Sequence, residues 1–80
     1  MKALVEQIAR SLVDQPDDVR VEVHEFDDES RTLVELTVAP DDLGKVIGRH
    51  GKTARSFRTL LAAAGDKIDR QIDFEVVEDS

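Results

Sequence analysis

The chain has 80 residues, 18 acidic and 11 basic side chains, and a formal net charge of −7. That length allows one domain with a small core, and the absence of cysteine excludes disulfides, thiolate metal sites and thiol chemistry. No apolar run approaches the ~20 residues of a membrane span, the N-terminal MKALVEQIARSLVDQ does not read as a signal peptide, and His24 and His50 lie too far apart in the chain to build a metal centre by themselves.

Leu4, Val5, Ile8 and Leu12 recur at spacings of three and four, which predicts a helix with one apolar face. Gln15-Pro16 ends it, because the residue before a proline avoids the helical region. Val19, Val21 and Val23 then alternate with Arg20, Glu22 and His24, the pattern of a half-buried strand. His24 falls on the polar side of that strand and is expected to be exposed. Phe26 breaks the alternation and is expected to cover an edge of the core. Asp27-Asp28-Glu29-Ser30 forms an acidic turn, and Val34, Leu36 and Val38 alternate with Glu35 and Thr37 in a second strand, giving an antiparallel hairpin.

Pro40-Asp41-Asp42 follows, where an aspartate can cap the next helix through its carboxylate. Leu43 to Ile47 is enough for about one helical turn. After Gly48-Arg49-His50-Gly51 the helical pattern resumes at Lys52, with Ala54, Phe57, Leu60, Leu61 and Ala64 as its apolar stripe and Gly65 at the expected C-terminal position. Phe57 and Phe74 read as core residues. Ile72, Phe74 and Val76 alternate with Asp73 and Glu75 in a third strand, and Glu78-Asp79-Ser80 is the expected loose end. The order αββααβ predicts an α+β fold, a three-stranded sheet packed on three helices. The outer sheet face, with Arg20, Glu22, Glu35, Thr37, Asp73 and Glu75, is acidic and offers no aromatic platform for bases, which excludes recognition on the sheet.

Charge is unevenly spread. Residues 1–42 hold 12 acids and 4 bases, and residues 66–80 hold 6 acids and 2 bases. Residues 43–65 hold Lys45, Arg49, Lys52, Arg55 and Arg58 and no acid. This basic stretch is either a solvated helix face or a nucleic-acid contact, and the two glycines inside it favour the second. Gly48 and Gly51 permit a tight turn without Cβ clashes, which exposes backbone N–H groups and lets a sugar-phosphate chain approach. The N-terminus of the helix starting near Lys52 aims partial positive charge at the same place. Arg49 and His50 cannot both be buried and face solvent or ligand. Arg55 and Arg58 either extend the basic surface or keep the helix soluble.

Two rival motifs fail. Gly51-Lys52-Thr53 resembles the end of a phosphate-binding loop of nucleotide hydrolases, but that motif needs a glycine where Val46 stands. The acid pairs Asp17-Asp18, Asp27-Asp28 and Asp41-Asp42 each fall at an expected turn, where aspartate forms local backbone hydrogen bonds, and they do not read as catalytic dyads.

Val46-Ile47-Gly48-Arg49-His50-Gly51-Lys52 resembles the KH-domain signature, an apolar pair followed by GxxG and a basic helix start. The element order is similar to the type II KH arrangement. The whole chain then reads as one KH domain, with residues 1–31 as an N-terminal helix and strand extension and 32–78 as the core motif. Within KH proteins, the run from Gly44 through Ala54 resembles the small bacterial KhpA-type RNA-binding proteins. Ala54 departs from the commoner pattern, which has a larger aliphatic residue there.

The resemblance implies a cytoplasmic, non-enzymatic binder of single-stranded RNA, without cofactor or metal. It also implies RNA-chaperone or post-transcriptional activity, a partner KH protein of the KhpB (Jag/EloR) type, and a link to cell shape and the cell wall. By the same resemblance, Gly48 and Gly51 shape the loop, Arg49 and His50 contact phosphates, and Val46 and Ile47 stand where KH proteins place groove or core aliphatics, with bases expected in an apolar groove beside them. Lys45, Lys52 and Arg55 complete the expected RNA-contacting set. A competing reading is a protein-facing assembly module. Thr59, Ala62 and Ala63 form a small-residue face on the helix, on which a second copy or another KH protein could pack, unless alanine serves there only as a helix former.

Overall fold

The computed structural model describes residues 1–79. Its elements are α1 (Lys2–Leu12), β1 (Arg20–Phe26), β2 (Arg31–Val38), α2 (Leu43–Ile47), α3 (Lys52–Asp66) and β3 (Gln71–Glu78), with short 3-10 turns at Pro16–Asp18, Asp27–Glu29, Pro40–Asp42 and Arg49–Gly51. The αββααβ order and α+β class expected from periodicity are those observed. All three acid pairs fall in the first three of these turns, as expected, but their carboxylates make no local backbone bonds among the described residues: Asp27 accepts from Arg70, and Asp42 from Asp14 and Gln15.

The sheet has the order β1-β2-β3. β1 and β2 form an antiparallel hairpin, with Val21 opposite Leu36 and Val23 opposite Val34. β2 and β3 are parallel, with Val34 opposite Phe74 and Leu36 opposite Val76. A parallel pair needs a crossover connection, and α2, the glycine loop and α3 supply it. The central strand buries every second residue, Thr32, Val34, Leu36 and Val38. Val5 and Ala9 of α1, Val46 of α2, and Phe57 and Leu61 of α3 close the core over that face. Phe57 and Phe74 stack with ring centroids 4.9 Å apart, so both are core residues as expected.

Several expectations are corrected. α1 stops at Leu12, three residues before Gln15, and Val13 turns extended to pack on the core. The N–H groups freed at Asp14 and Gln15 donate to the Asp42 carboxylate at 3.1 and 3.0 Å. Asp42 therefore makes no cap to α2; fully buried, it ties the end of α1 to the start of α2.

Leu60 and Ala64 are not core residues. Leu60 is 44 % exposed, and Gly65 takes the buried place one turn beyond Leu61. Gly65 lies inside α3 rather than at a left-handed cap. It is needed because a Cβ there would stand 2.2 Å from the Arg70 carbonyl oxygen and 3.0 Å from Ile72 Cγ1. Phe26 covers no core edge; it is exposed on the outer sheet face beneath the Arg31 guanidinium, 5.0 Å from the ring centroid. That face thus carries one aromatic, already occupied. Glu78 pairs with Val38, and Asp79 binds the Val38 carbonyl and the Arg20 guanidinium, both at 3.0 Å, so neither is loose. Ser80 lies outside the described residues.

Candidate nucleic-acid interface

The loop between α2 and α3 is built by glycine conformations that other residues resist. Gly48 has φ 79° and ψ 170°, a region essentially reserved to glycine. Its N–H closes α2 by donating to the Gly44 carbonyl at 2.9 Å. A Cβ at Gly48 would meet Thr53, 2.2 Å from Oγ1 and 2.8 Å from the backbone nitrogen, so the loop folds back onto the first turn of α3. Gly51 is left-handed (φ 74°, ψ 13°) with open space where a Cβ would stand. His50 is also left-handed (φ 58°, ψ 25°). Gly51 N–H donates to Gly48 C=O at 3.0 Å.

Two consecutive left-handed residues push Arg49 and His50 outward, and both side chains are exposed, as the glycine spacing required. Lys52 and Arg55, one turn apart at the start of α3, are exposed on the same stretch. Among the described residues none of Arg49, Lys52, Arg55 and Arg58 is in an ion pair, although the protein carries excess acid elsewhere. The N-terminal turn of the 15-residue α3 adds N–H groups that have no acceptor within the helix.

Two expected contact residues sit elsewhere. Val46 is fully buried in the core, because α2 turns its one strongly apolar face onto the sheet; it holds α2 in place and reaches no ligand. Ile47 is half-buried beside the loop. Lys45 Nζ is 2.8 Å from Asp14 Oδ2 and 3.4 Å from Asp42 Oδ1, so its charge secures α2 to the end of α1. The hydrogen bond to Asp14 leads in raising the Lys45 pKa above its ordinary 10.5. At Asp42 burial raises the pKa, but the N–H groups of Asp14 and Gln15 and the Lys45 ammonium outweigh it, and the carboxyl titrates below 3.8.

A carboxyl depressed in the folded state stabilises above its unfolded value and loses that contribution as pH falls through the folded one. The stability advantage of the parent over Asp42→Asn is therefore expected to hold at neutral pH and to shrink steadily below pH 3.8, as read from urea midpoints across that range.

Thr59, Ala62 and Ala63 are exposed along α3, and Leu60 joins them. Lys52, Arg55, Ser56, Thr59 and Leu60 line one shallow depression, so the cationic end of α3 runs into the small-residue strip. The contribution of Leu60 escaped its periodicity, which suits either side of the helix.

Comparison with known proteins shows the family. The family model described as KhpA/KhpB, KH domain, matches residues 2–76. A protein named RNA-binding protein KhpA from Halalkalibacterium halodurans is 49 % identical over 78 residues, 98 % of this chain and 100 % of the relative. Proteins of the same name from Clostridium acetobutylicum and Aquifex aeolicus are 46 % and 45 % identical, covering 96 % and 98 % of this chain and 100 % and 96 % of the relatives. No solved structure gives a significant match. With an αββααβ domain and a GxxG loop between two helices, and matched by the family model over residues 2–76 and by these relatives over nearly its whole length, the chain belongs to the KhpA/KhpB KH-domain family.

Proposed function

We propose that this chain is a non-enzymatic binder of single-stranded RNA, acting in the cytoplasm through a single KH domain whose motif proper spans residues 32–78. The observation that carries the reading is the loop itself. Gly48 and Gly51 hold Arg49 and His50 outward at the N-terminus of α3, beside Lys52 and Arg55, and among the described residues no acidic side chain pairs with them. The relatives' name, RNA-binding protein KhpA, supports it. Phosphates lie against the loop and the helix terminus, and bases lie beside Ile47. Few polar groups are placed to read base edges, so discrimination between sequences is modest. An RNA-chaperone or post-transcriptional role with a KhpB-type partner, and a link to cell shape and the cell wall, are the finer reading that family membership supports.

Arg49, Lys52 and Arg55 make about three phosphate contacts, for which the log–log salt dependence has a slope of roughly −2, from about −0.7 per contact on single strands. Filter binding from low to moderate salt measures it. A slope near zero, or duplex bound as well as single strand, contradicts the reading.

The exposure of Leu60 favours a second surface on α3. With Thr59, Ala62 and Ala63 it makes a strip on which two copies pack across a two-fold axis. Ala62→Tyr is expected to leave a folded monomer that binds a short oligonucleotide as the parent does but loses affinity for long RNA, because one loop then acts in place of two. Sedimentation at tens of micromolar checks it: a parent that is monomeric there has no such homodimer, and the strip then faces another protein.

A further inference from the structure

The outer face of the sheet, away from the helices and the glycine loop, carries a cluster that RNA binding does not use. Glu22 on β1 stands opposite Glu35 on β2, and Glu35 has Glu75 beside it on β3. Like charges side by side across strands destabilise a sheet. Among the described residues no lysine or arginine pairs with Glu22 or Glu35; both converge on His24. The arginines of this face are engaged elsewhere, Arg20 with Asp79 and Arg31 with Glu29 and Asp73. His24 Nε2 lies 2.5 Å from Glu35 Oε1 and 3.6 Å from Glu22 Oε2. Neither approach has hydrogen-bond geometry, so this ring nitrogen is enclosed from solvent without a directed partner. The ligating atoms of the three residues lie within 4.8 Å of one another.

We propose that Glu22, His24 and Glu35 form a binding site for a divalent transition cation of the zinc or nickel class. Zinc binds imidazole nitrogen and carboxylate oxygen at about 2.0–2.2 Å, which sets tetrahedral ligand atoms about 3.3 Å apart. The two separations from the imidazole to the carboxylates bracket that value, and all three side chains are partly exposed and able to adjust. The imidazole at the centre selects against magnesium and calcium, which take oxygen ligands. Two carboxylates without another cation supply the charge, and their mutual repulsion is relieved when the ion enters. The ion bridges β1 and β2 in the middle of the hairpin and leaves a coordination position for water. Because the site and the loop lie on opposite sides of the sheet, metal and RNA do not compete.

The test is calorimetric titration of the whole protein with zinc chloride, with thermal unfolding in parallel. One ion per chain is expected, with a rise in Tm that a chelator reverses and that magnesium does not reproduce. His24→Thr, which keeps a strand-forming residue at a position 42 % exposed, is expected to weaken zinc binding by at least about tenfold, the loss that even a residue supporting a metal ligand brings. Glu22→Gln with Glu35→Gln is a second, independent variant with the same expected loss, and His50→Asn is expected to keep the full response. No binding, a response that survives His24→Thr and the double glutamine variant, a response that follows His50, or an equal effect of magnesium each overturns the proposal.

Discussion

Gly48→Ala is expected to cost about 3 kcal/mol or more and to remove RNA binding with it, whereas Gly51→Ala costs only about 1–2 kcal/mol. The two glycines look equivalent in GRHG, but their surroundings differ. At Gly48 the backbone occupies the glycine-only region, and a methyl group would also collide with the Thr53 side chain and the nitrogen of its peptide. The backbone nitrogen cannot move aside without unwinding the first turn of α3. Relief must come from the loop, which then no longer presents Arg49 and His50. At Gly51 the backbone is left-handed but nothing lies within 4 Å of the missing Cβ, so only conformational strain is added. Asparagine, which tolerates the left-handed region, is expected to cost less still at Gly51. For a domain of this length total stability is about 4–12 kcal/mol, so the difference separates a marginal protein from an intact one. Urea unfolding of the two alanine variants measures it. Equal losses at the two positions would show that the close approach to Thr53 does not govern the loop.

The double variant Arg49→Asp, His50→Asp is expected to stay folded and to bind RNA about a hundredfold more weakly. Both side chains are exposed and neither makes a hydrogen bond or ion pair among the described residues, so no native contact is lost. Aspartate tolerates the left-handed conformation held at residue 50, so the turn survives. With the imidazole counted as neutral, the exchange changes the loop by three unit charges. Each is worth about 1 kcal/mol against a phosphate 4 Å away in water, which gives the factor stated. Circular dichroism establishes folding and electrophoretic shift measures affinity. A folded variant that binds as the parent does would mean that the phosphates lie elsewhere, with Lys52 and Arg55 the next candidates.

The amino-acid sequence alone determined what strand alternation and the glycine pair govern. Alternation of apolar and polar residues marked three strands and their buried faces, and the glycine pair marked the loop together with the outward direction of Arg49 and His50. What the sequence left open were choices with nearly equal local energies, settled by contacts distant along the chain. Leu60 and Gly65 compete for the buried side of α3, and the close approach of the Arg70 carbonyl decides it, because only a residue without a Cβ fits there. Asp42 suits a helix cap as well as a buried anchor; the N–H groups of Asp14 and Gln15, 28 and 27 residues earlier, decide it, and the carboxylates of Asp14 and Asp42 draw Lys45 away from the loop. Val46 belongs equally to a groove or a core until α2 is docked on the sheet. His24 looks like a solitary exposed histidine until the hairpin register sets Glu22 opposite Glu35. A register is a property of two strands together, so the carboxylates converge on that imidazole only in the folded sheet.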